Sequence, residues 1–325
     1  VNAITGRTPP APDGLRGAPS RPLVIGLLNN SPGSAYRATQ RQFARALRDA
    51  SGDRKISLQC YALPEIHGDP VACHAEGHAH LSVQMLRSVP PDGLIISGAE
   101  PRSANLRDEA YWSSLVQIFA WARQRQIPLL LSCLAAHAAV LHDSDIPRRR
   151  LERKCSGVFP VSIENRHGTE LAGALAASRT PACAPHSRWH ELPEDQLLAH
   201  GYRILTRAGE AGVDMFAGPN GQDTLFLNGH PEYEACSLLK EYRRDVGRFV
   251  AGEIGRYPDL PLQPISPSLH NVLAEVRRLA LAGQGEAALH LLPPLGAAPD
   301  AVPAWREHAQ AVFGFWLHHV SETVS

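Results

Sequence analysis

Pro128-Leu129-Leu130-Leu131-Ser132-Cys133-Leu134-Ala135-Ala136-His137-Ala138-Ala139-Val140-Leu141 is the stretch that decides the fold. Its first residues form a short apolar run, the pattern of a buried strand, and from Leu134 onward the composition favours a helix. A buried strand that passes directly into a helix is a repeating unit of parallel α/β sheets. The Cys133 thiol at the junction would lie at the positive end of the helix dipole, beside backbone N–H groups that the helix leaves without partners. That setting favours a thiolate.

Outward from this junction, strand and helix signals alternate. Toward the N-terminus, Pro22–Leu28 reads as a strand closing on the loop Asn29-Asn30-Ser31-Pro32-Gly33. Tyr36–Ala50 reads as a helix with Phe43, Ala46 and Leu47 on one side, and Ile56–Leu63 as a second strand. A histidine-rich connection leads to a helix near Leu81–Ser88. Asp92-Gly93-Leu94-Ile95-Ile96-Ser97-Gly98-Ala99 is a third strand ending in a glycine loop, and Tyr111–Gln124 is helical. Beyond the basic run Arg148–Lys154 the pattern is richer in strands: Gly157–Ile163, Tyr202–Thr206, Val213–Phe216 and Thr224–Asn228. Glu234–Gly252 is a long amphipathic helix, Tyr257–Pro267 a proline-rich linker, and Leu269–Ser325 helical in character. The expected architecture is a doubly wound, flavodoxin-like α/β fold with a mainly parallel sheet and a C-terminal helical extension. The expected divisions are a flexible tail over 1–21, a catalytic α/β domain over 22–255, and a linker with helical extension over 256–325.

Composition narrows the classes further. The 325 residues suffice for a large core. Lys plus Arg equals Asp plus Glu at 32 each, so a general polyanion-binding surface, and with it nucleic acid as a partner, is not expected. No apolar stretch approaches the roughly 20 residues of a membrane span, and Val1–Pro22 lacks the apolar core of a signal sequence. The six cysteines are scattered, with no CxxC pair, which reads as reduced thiols in a cytoplasmic protein.

Farther along, Thr224-Leu225-Phe226-Leu227-Asn228 closes on Gly229-His230-Pro231-Glu232. Taken alone, Cys133 fits a buried structural thiol and Gly-His-Pro-Glu fits a turn. Together they have the layout of a Cys-His-Glu triad at the ends of two strands. In that arrangement His230 takes the thiol proton and later deprotonates an acceptor, while Glu232 fixes the imidazole tautomer. The N–H groups of Leu134 and of Gly98-Ala99 are candidates for an oxyanion hole.

The cysteine elbow and Gly229-His230-Pro231-Glu232 resemble the class I glutamine amidotransferase fold. Amidotransferases normally carry glycines on both sides of the nucleophile, and Leu131-Ser132-Cys133-Leu134-Ala135 has none. Further segments resemble the homoserine O-acyltransferase (MetA-type) family instead: Asp92–Ala99, Ala110-Tyr111-Trp112, Lys154-Cys155-Ser156-Gly157-Val158-Phe159, Ala184-Pro185-His186-Ser187-Arg188-Trp189, Gly229–Glu234, Arg244-Asp245-Val246, Trp305-Arg306-Glu307-His308 and Phe315-Trp316-Leu317. They cover most of residues 22–320. The resemblance implies ping-pong acyl transfer. Cys133 takes an acyl group from acyl-CoA, and an amino-acid hydroxyl, that of homoserine in methionine biosynthesis, takes it from Cys133. It also implies acceptor contacts at Lys154, Ser187 and Arg244, a homodimer, and no cofactor beyond the acyl-CoA co-substrate. Arg244 is a suitable bidentate partner for an α-carboxylate, although on its own it fits a solvated helix residue equally well.

Two departures stand out. Glu100-Pro101-Arg102 follows the glycine loop, and the position of Arg102 helps select the acyl group in the family. An arginine there would attract the distal carboxylate of succinyl, which favours succinyl-CoA over acetyl-CoA; a CoA phosphate is its other candidate ligand. The loop Asn29–Arg37 lacks the paired lysines often found there, which leaves another acceptor such as serine open. A glutamine amidotransferase-type hydrolase using the same triad is the alternative activity, and a non-catalytic binding protein the alternative class. His67, His74, His78 and His80 read as a surface connection and not as a metal site: Gly77 interrupts the helix that would align His74 with His78, and no ligand pattern completes the set. The Arg148–Lys154 run is a further candidate contact for CoA phosphates.

Overall fold

The computed structural model describes residues 21–33, 35–67, 80–164, 180–219, 223–294 and 302–324, together with Gly173 and Leu175. His74, His78 and the tail over 1–20 lie outside the described residues. In chain order the elements are β1 (Leu23–Leu28), α1 (Ala35–Ala50), β2 (Ile56–Tyr61), α2 (Pro64–His67), α3 (Val83–Ser88), β3 (Gly93–Ile96) and α4 (Trp112–Gln124). There follow β4 (Leu129–Ser132), α5 (Leu134–Ser144), β5 (Arg149–Ile163), β6 (Cys183–Glu191), α6 (Glu194–Ala199), β7 (Arg203–Ala208), β8 (Val213–Ala217) and β9 (Thr224–Leu227). The chain ends with α7 (Ser237–Val250), α8 (Pro267–Leu281), α9 (Gly285–Leu291) and α10 (Arg306–Thr323).

The strands form one nine-stranded sheet in the order β2-β1-β3-β4-β9-β8-β7-β5-β6. From β2 through β9 all four pairings are parallel, and the order is that of a doubly wound, flavodoxin-like sheet. The α/β class read from the sequence is therefore the class observed. From β9 through β6 the four pairings are antiparallel, which accounts for the strand-rich second half of the chain.

Both faces of the parallel part are covered. Leu115, Ile118 and Phe119 of α4 pack on one face with Ala135, Ala136 and Ala139 of α5. Phe43 and Leu47 of α1 pack on the other with Phe313, Trp316 and Val320 of α10. The last helix thus completes a layer of the sheet. Helices α8 and α9 form a separate cluster against α7, in which Leu273 and Val276 meet Tyr242 and Val246.

Two differences from the sequence reading have local causes. β5 begins at Arg149, earlier than the apolar pattern suggested, because its first residues run along a ladder with β6 and keep their charges toward solvent. β6 itself carries polar residues and Pro185, so its β-propensity is low; pairing with β5 holds it in the sheet.

Candidate active site

Ser132 of β4 is in register with Leu227 of β9, so the segments that follow these strands leave the sheet side by side. The Cys133 N–H donates to the Leu227 carbonyl at 2.7 Å. Cys133 then adopts φ 52° and ψ −112°, a strained conformation for a side-chain-bearing residue, immediately before α5. This sharp strand-to-helix turn projects the thiol from the carboxyl edge of the sheet.

His230 is buried and its Nδ1 lies 2.9 Å from Glu232 Oε1. Its backbone N–H donates to the Pro185 carbonyl of β6 at 2.7 Å, which fixes the loop after β9. Burial is the largest influence on the imidazole and opposes its charge. The Glu232 carboxylate and the Cys133 sulfur, acting through charge and hydrogen bonding, outweigh it and hold His230 well above its ordinary pKa. The three side chains named from the sequence are therefore brought together, with His230 between the sulfur and the carboxylate. Tyr233 stacks on the imidazole with ring centroids 4.3 Å apart.

Gly98 lies against the start of α5. A Cβ there would stand 3.1 Å from the Leu134 amide nitrogen and 3.3 Å from the Leu134 Cβ. Glycine is what lets the loop after β3 approach the helix N-terminus this closely. Leu134 and Ala99 are thus held at the same edge of the sheet as Cys133.

A second group of side chains adjoins these three. Glu241 of α7, largely buried, accepts hydrogen bonds from Ser187 Oγ and Tyr233 Oη and from Lys154 Nζ at 3.1 Å. Lys154 also donates to Asp245 Oδ2 at 2.8 Å, and Arg244 grips Asp245 Oδ1 through Nε and Nη2 at 3.1 and 3.0 Å. Desolvation would raise the Glu241 carboxyl most, but the Lys154 charge, the Ser187 and Tyr233 hydroxyls and His230 together hold it below its ordinary value. Lys154, Ser187 and Arg244, far apart in sequence, meet around two carboxylates beside His230.

The loop after β3 is pinned from two sides. Buried Glu109 accepts the N–H groups of Arg102 and Ser103, both at 2.6 Å, and Arg148 Nη2 donates to the Ser103 and Ala104 carbonyls at 3.3 and 3.2 Å. The Arg102 side chain is exposed. Within Asn29–Arg37, the Asn30 N–H donates to Ser97 Oγ at 2.8 Å, joining that loop to the end of β3.

The sequence model of the homoserine O-succinyltransferase family matches residues 16–325. The chain belongs to the homoserine O-succinyltransferase family. It is similar to a homoserine O-succinyltransferase of Rhodopseudomonas palustris, 40% identical over 302 residues that cover 93% of this chain and 89% of the relative. A homoserine O-succinyltransferase of Bradyrhizobium japonicum is likewise 40% identical over 305 residues, covering 92% of this chain and 90% of its own. Among solved structures, a glutamine amido transferase from Methylobacillus flagellatus aligns with a TM-score of 0.48 at 12% identity, covering 92% of this chain and 94% of its own. The acyltransferase expectation thus holds at the level of the family.

Several features of this homoserine O-succinyltransferase family member were not apparent from residue types. Glu241 is one of many charged residues on an amphipathic helix, and only its position four residues before Asp245, on the same face, hinted that both look inward. Tyr233 and Glu109 gave no signal of their own. The basic run divides. Arg149 and Arg153 pair with Glu191 and Asp259 at the surface, Arg150 lies over Trp189, Lys154 turns toward Glu241, and Arg148 turns inward under the loop after β3. His67 and His80 contact the Tyr36 ring. Among the described residues, no group of three metal-ligating side chains gathers, and no helix is long and apolar enough to cross a membrane.

Proposed function

We infer that the protein moves a succinyl group from succinyl-CoA to the hydroxyl of L-homoserine through a thioester on Cys133. Membership in the family makes it a homoserine O-acyltransferase, and the placement of His230 between the Cys133 sulfur and Glu232 is the observation that carries the mechanism.

The Cys133 thiolate attacks the thioester carbonyl of the donor while His230 holds the thiol proton. The negative oxygen of the tetrahedral intermediate takes the N–H groups of Leu134 and Ala99. The C–S bond to CoA breaks, and the imidazolium protonates the departing sulfur. One thioester has replaced another, so the acyl group keeps its transfer potential. His230 then deprotonates the homoserine hydroxyl, whose oxygen attacks the same carbonyl. Collapse of the second intermediate releases O-succinylhomoserine and returns the proton to the Cys133–His230 pair.

The acceptor sits beside His230 among Lys154, Ser187, Glu241, Arg244 and Asp245. Arg244, which is half-exposed while it grips Asp245, receives the α-carboxylate, and Glu241 receives the ammonium group. Arg102, on the solvent side of the loop after β3, draws in the carboxylate end of the succinyl group. The protein needs no cofactor and works as a cytoplasmic homodimer.

The test is steady-state kinetics with both substrates varied. Parallel double-reciprocal lines, and release of one CoA per chain without acceptor, are expected. Intersecting lines without such a burst contradict the covalent route. Serine in place of homoserine and acetyl-CoA in place of succinyl-CoA define the preferences, and ammonia release from glutamine would point to the hydrolase activity instead.

A further inference from the structure

Arg148 is a cation in a partly buried place, with no counter-ion among the described residues. Its Nη2 is used on the Ser103 and Ala104 carbonyls, and its Nε is buried with no hydrogen-bond partner among the described residues. Among the described residues no carboxylate forms an ion pair with it. Glu109 is near enough to act on it through space, but the Oε1 of Glu109 is committed to two backbone N–H groups. Burial pushes the guanidinium down from its ordinary value, the cost expected of an uncompensated charge, though it stays protonated at neutral pH.

A second orphan group lies at the same place. Tyr111, just before α4, is only 7% exposed, and its hydroxyl is buried with no partner among the described residues. Tyr111, Glu109, Arg148 and Cys133 form one electrostatic neighbourhood: the charges of Glu109 and Arg148 act on the phenol, and Cys133 acts on Arg148. Buried donors are ordinarily satisfied, and two left open beside a nucleophile point to a ligand that supplies the acceptors.

We propose that Arg148 and Tyr111 form the subsite for the distal carboxylate of a dicarboxylic acyl group carried by Cys133, with Arg148 Nε and the Tyr111 hydroxyl as its donors. The inference rests on the acyltransferase reading and adds a specificity device to it. The alternative anions are placed elsewhere by chemistry. The pantetheine arm keeps the phosphates of CoA far from the thioester, and the acceptor carboxylate belongs with Arg244, which is held by Asp245 of α7. An anion arriving beside Cys133 and under the loop after β3 is therefore on the acyl chain. The loop-bracing bonds from Arg148 to Ser103 and Ala104 hold the guanidinium in place before the ligand arrives, which limits the ordering cost of binding.

The test compares succinyl-CoA with butyryl-CoA, which has the same chain length but ends in a methyl group. In the unmutated protein kcat/KM should strongly favour succinyl-CoA. Arg148→Met should reduce that preference about 10- to 100-fold, Arg148→Lys should restore part of it, and Tyr111→Phe should reduce it about 5- to 20-fold. Equal losses with both thioesters would mean that Arg148 only braces the loop, and would overturn the proposal. So would a loss confined to the homoserine KM. If the unmutated protein uses both thioesters equally well, the subsite is absent while the acyltransferase reading stands. If neither thioester acylates Cys133, the acyltransferase reading fails with it.

Discussion

Asp214 Oδ1 lies 3.1 Å from His186 Nε2, in a place solvent does not reach, directly beneath the loop that carries His230. Gly229, the residue before His230, has no room for a side chain there: a Cβ would fall 2.4 Å from Asp214 Oδ1 and 3.1 Å from His186 Nε2. Thr206 Oγ1 donates to Asp214 at 2.8 Å, and the Asn228 N–H donates to the Asp214 carbonyl at 2.7 Å. Burial opposes the Asp214 charge most. The hydrogen bond and charge of His186, with His308 of the last helix and Thr206, nevertheless hold its carboxyl below the ordinary range. One buried carboxylate thereby ties β8, β6 and the Gly229–His230 turn together.

Asp214→Ala should therefore cost the fold about 1.5–3 kcal/mol, the usual worth of hydrogen bonds to a buried charged group, His186 being lowered below its ordinary value by burial. Urea unfolding followed by fluorescence measures it. A change below about 1 kcal/mol would mean that the pair contributes little and that the turn is held by its backbone bonds alone.

Arg244→Ala should raise the homoserine KM by about tenfold or more while leaving the succinyl-CoA KM within about twofold. Initial rates with each substrate varied separately decide it. A change confined to the succinyl-CoA KM would move the acceptor away from the Glu241–Asp245 side of the cleft.

His137, one turn into α5 and buried, has its pKa pushed to about 3, by burial first and then by the charges of Arg188, Arg148 and His190. Its ordinary value is 6.5. Below pH 6.5 the unfolded chain takes up a proton that the folded imidazole refuses, so stability falls as pH drops and the loss levels off near pH 3. Buried His186 and His308, also lowered by burial, act in the same direction. Melting temperatures across this range should decline toward acid, and His137→Leu should make the decline shallower. An unchanged slope in the variant would show that His137 is not the group that titrates.

What could be read from the sequence was what depends on neighbours in the chain. The run Leu129–Ser132 and the helix after it are local, so the elbow at Cys133 could be seen, as could the strand end that carries His230 and Glu232. Lys154, Ser187 and Arg244 could be grouped only through the family resemblance, because they come from β5, β6 and α7 and no local pattern joins them. Glu241 and Tyr233 carried little signal for the same reason: their significance lies in the hydrogen bonds that join them to each other and to Ser187 of β6. Arg148 sits within a basic run whose other members mostly face solvent, and only burial distinguishes it. β6 was hidden by Pro185 and its polar residues, and is held by its long pairing with β5.

Arg102→Gly should lower the preference for succinyl-CoA over acetyl-CoA, but by less than about fivefold, because its exposed guanidinium works against solvent screening. Competition kinetics with the two thioesters gives the ratio directly. A loss of preference larger than that of Arg148→Met would make Arg102 the main carboxylate ligand and demote the inner subsite.

The most direct test is intact-mass analysis of the protein after incubation with succinyl-CoA alone, then with homoserine added. One succinyl group per chain should appear, map to the peptide bearing Cys133, and vanish as O-succinylhomoserine forms; Cys133→Ala should gain no mass. An unmodified protein that still turns over, or a Cys133→Ala variant that retains acyl transfer, would contradict the covalent route.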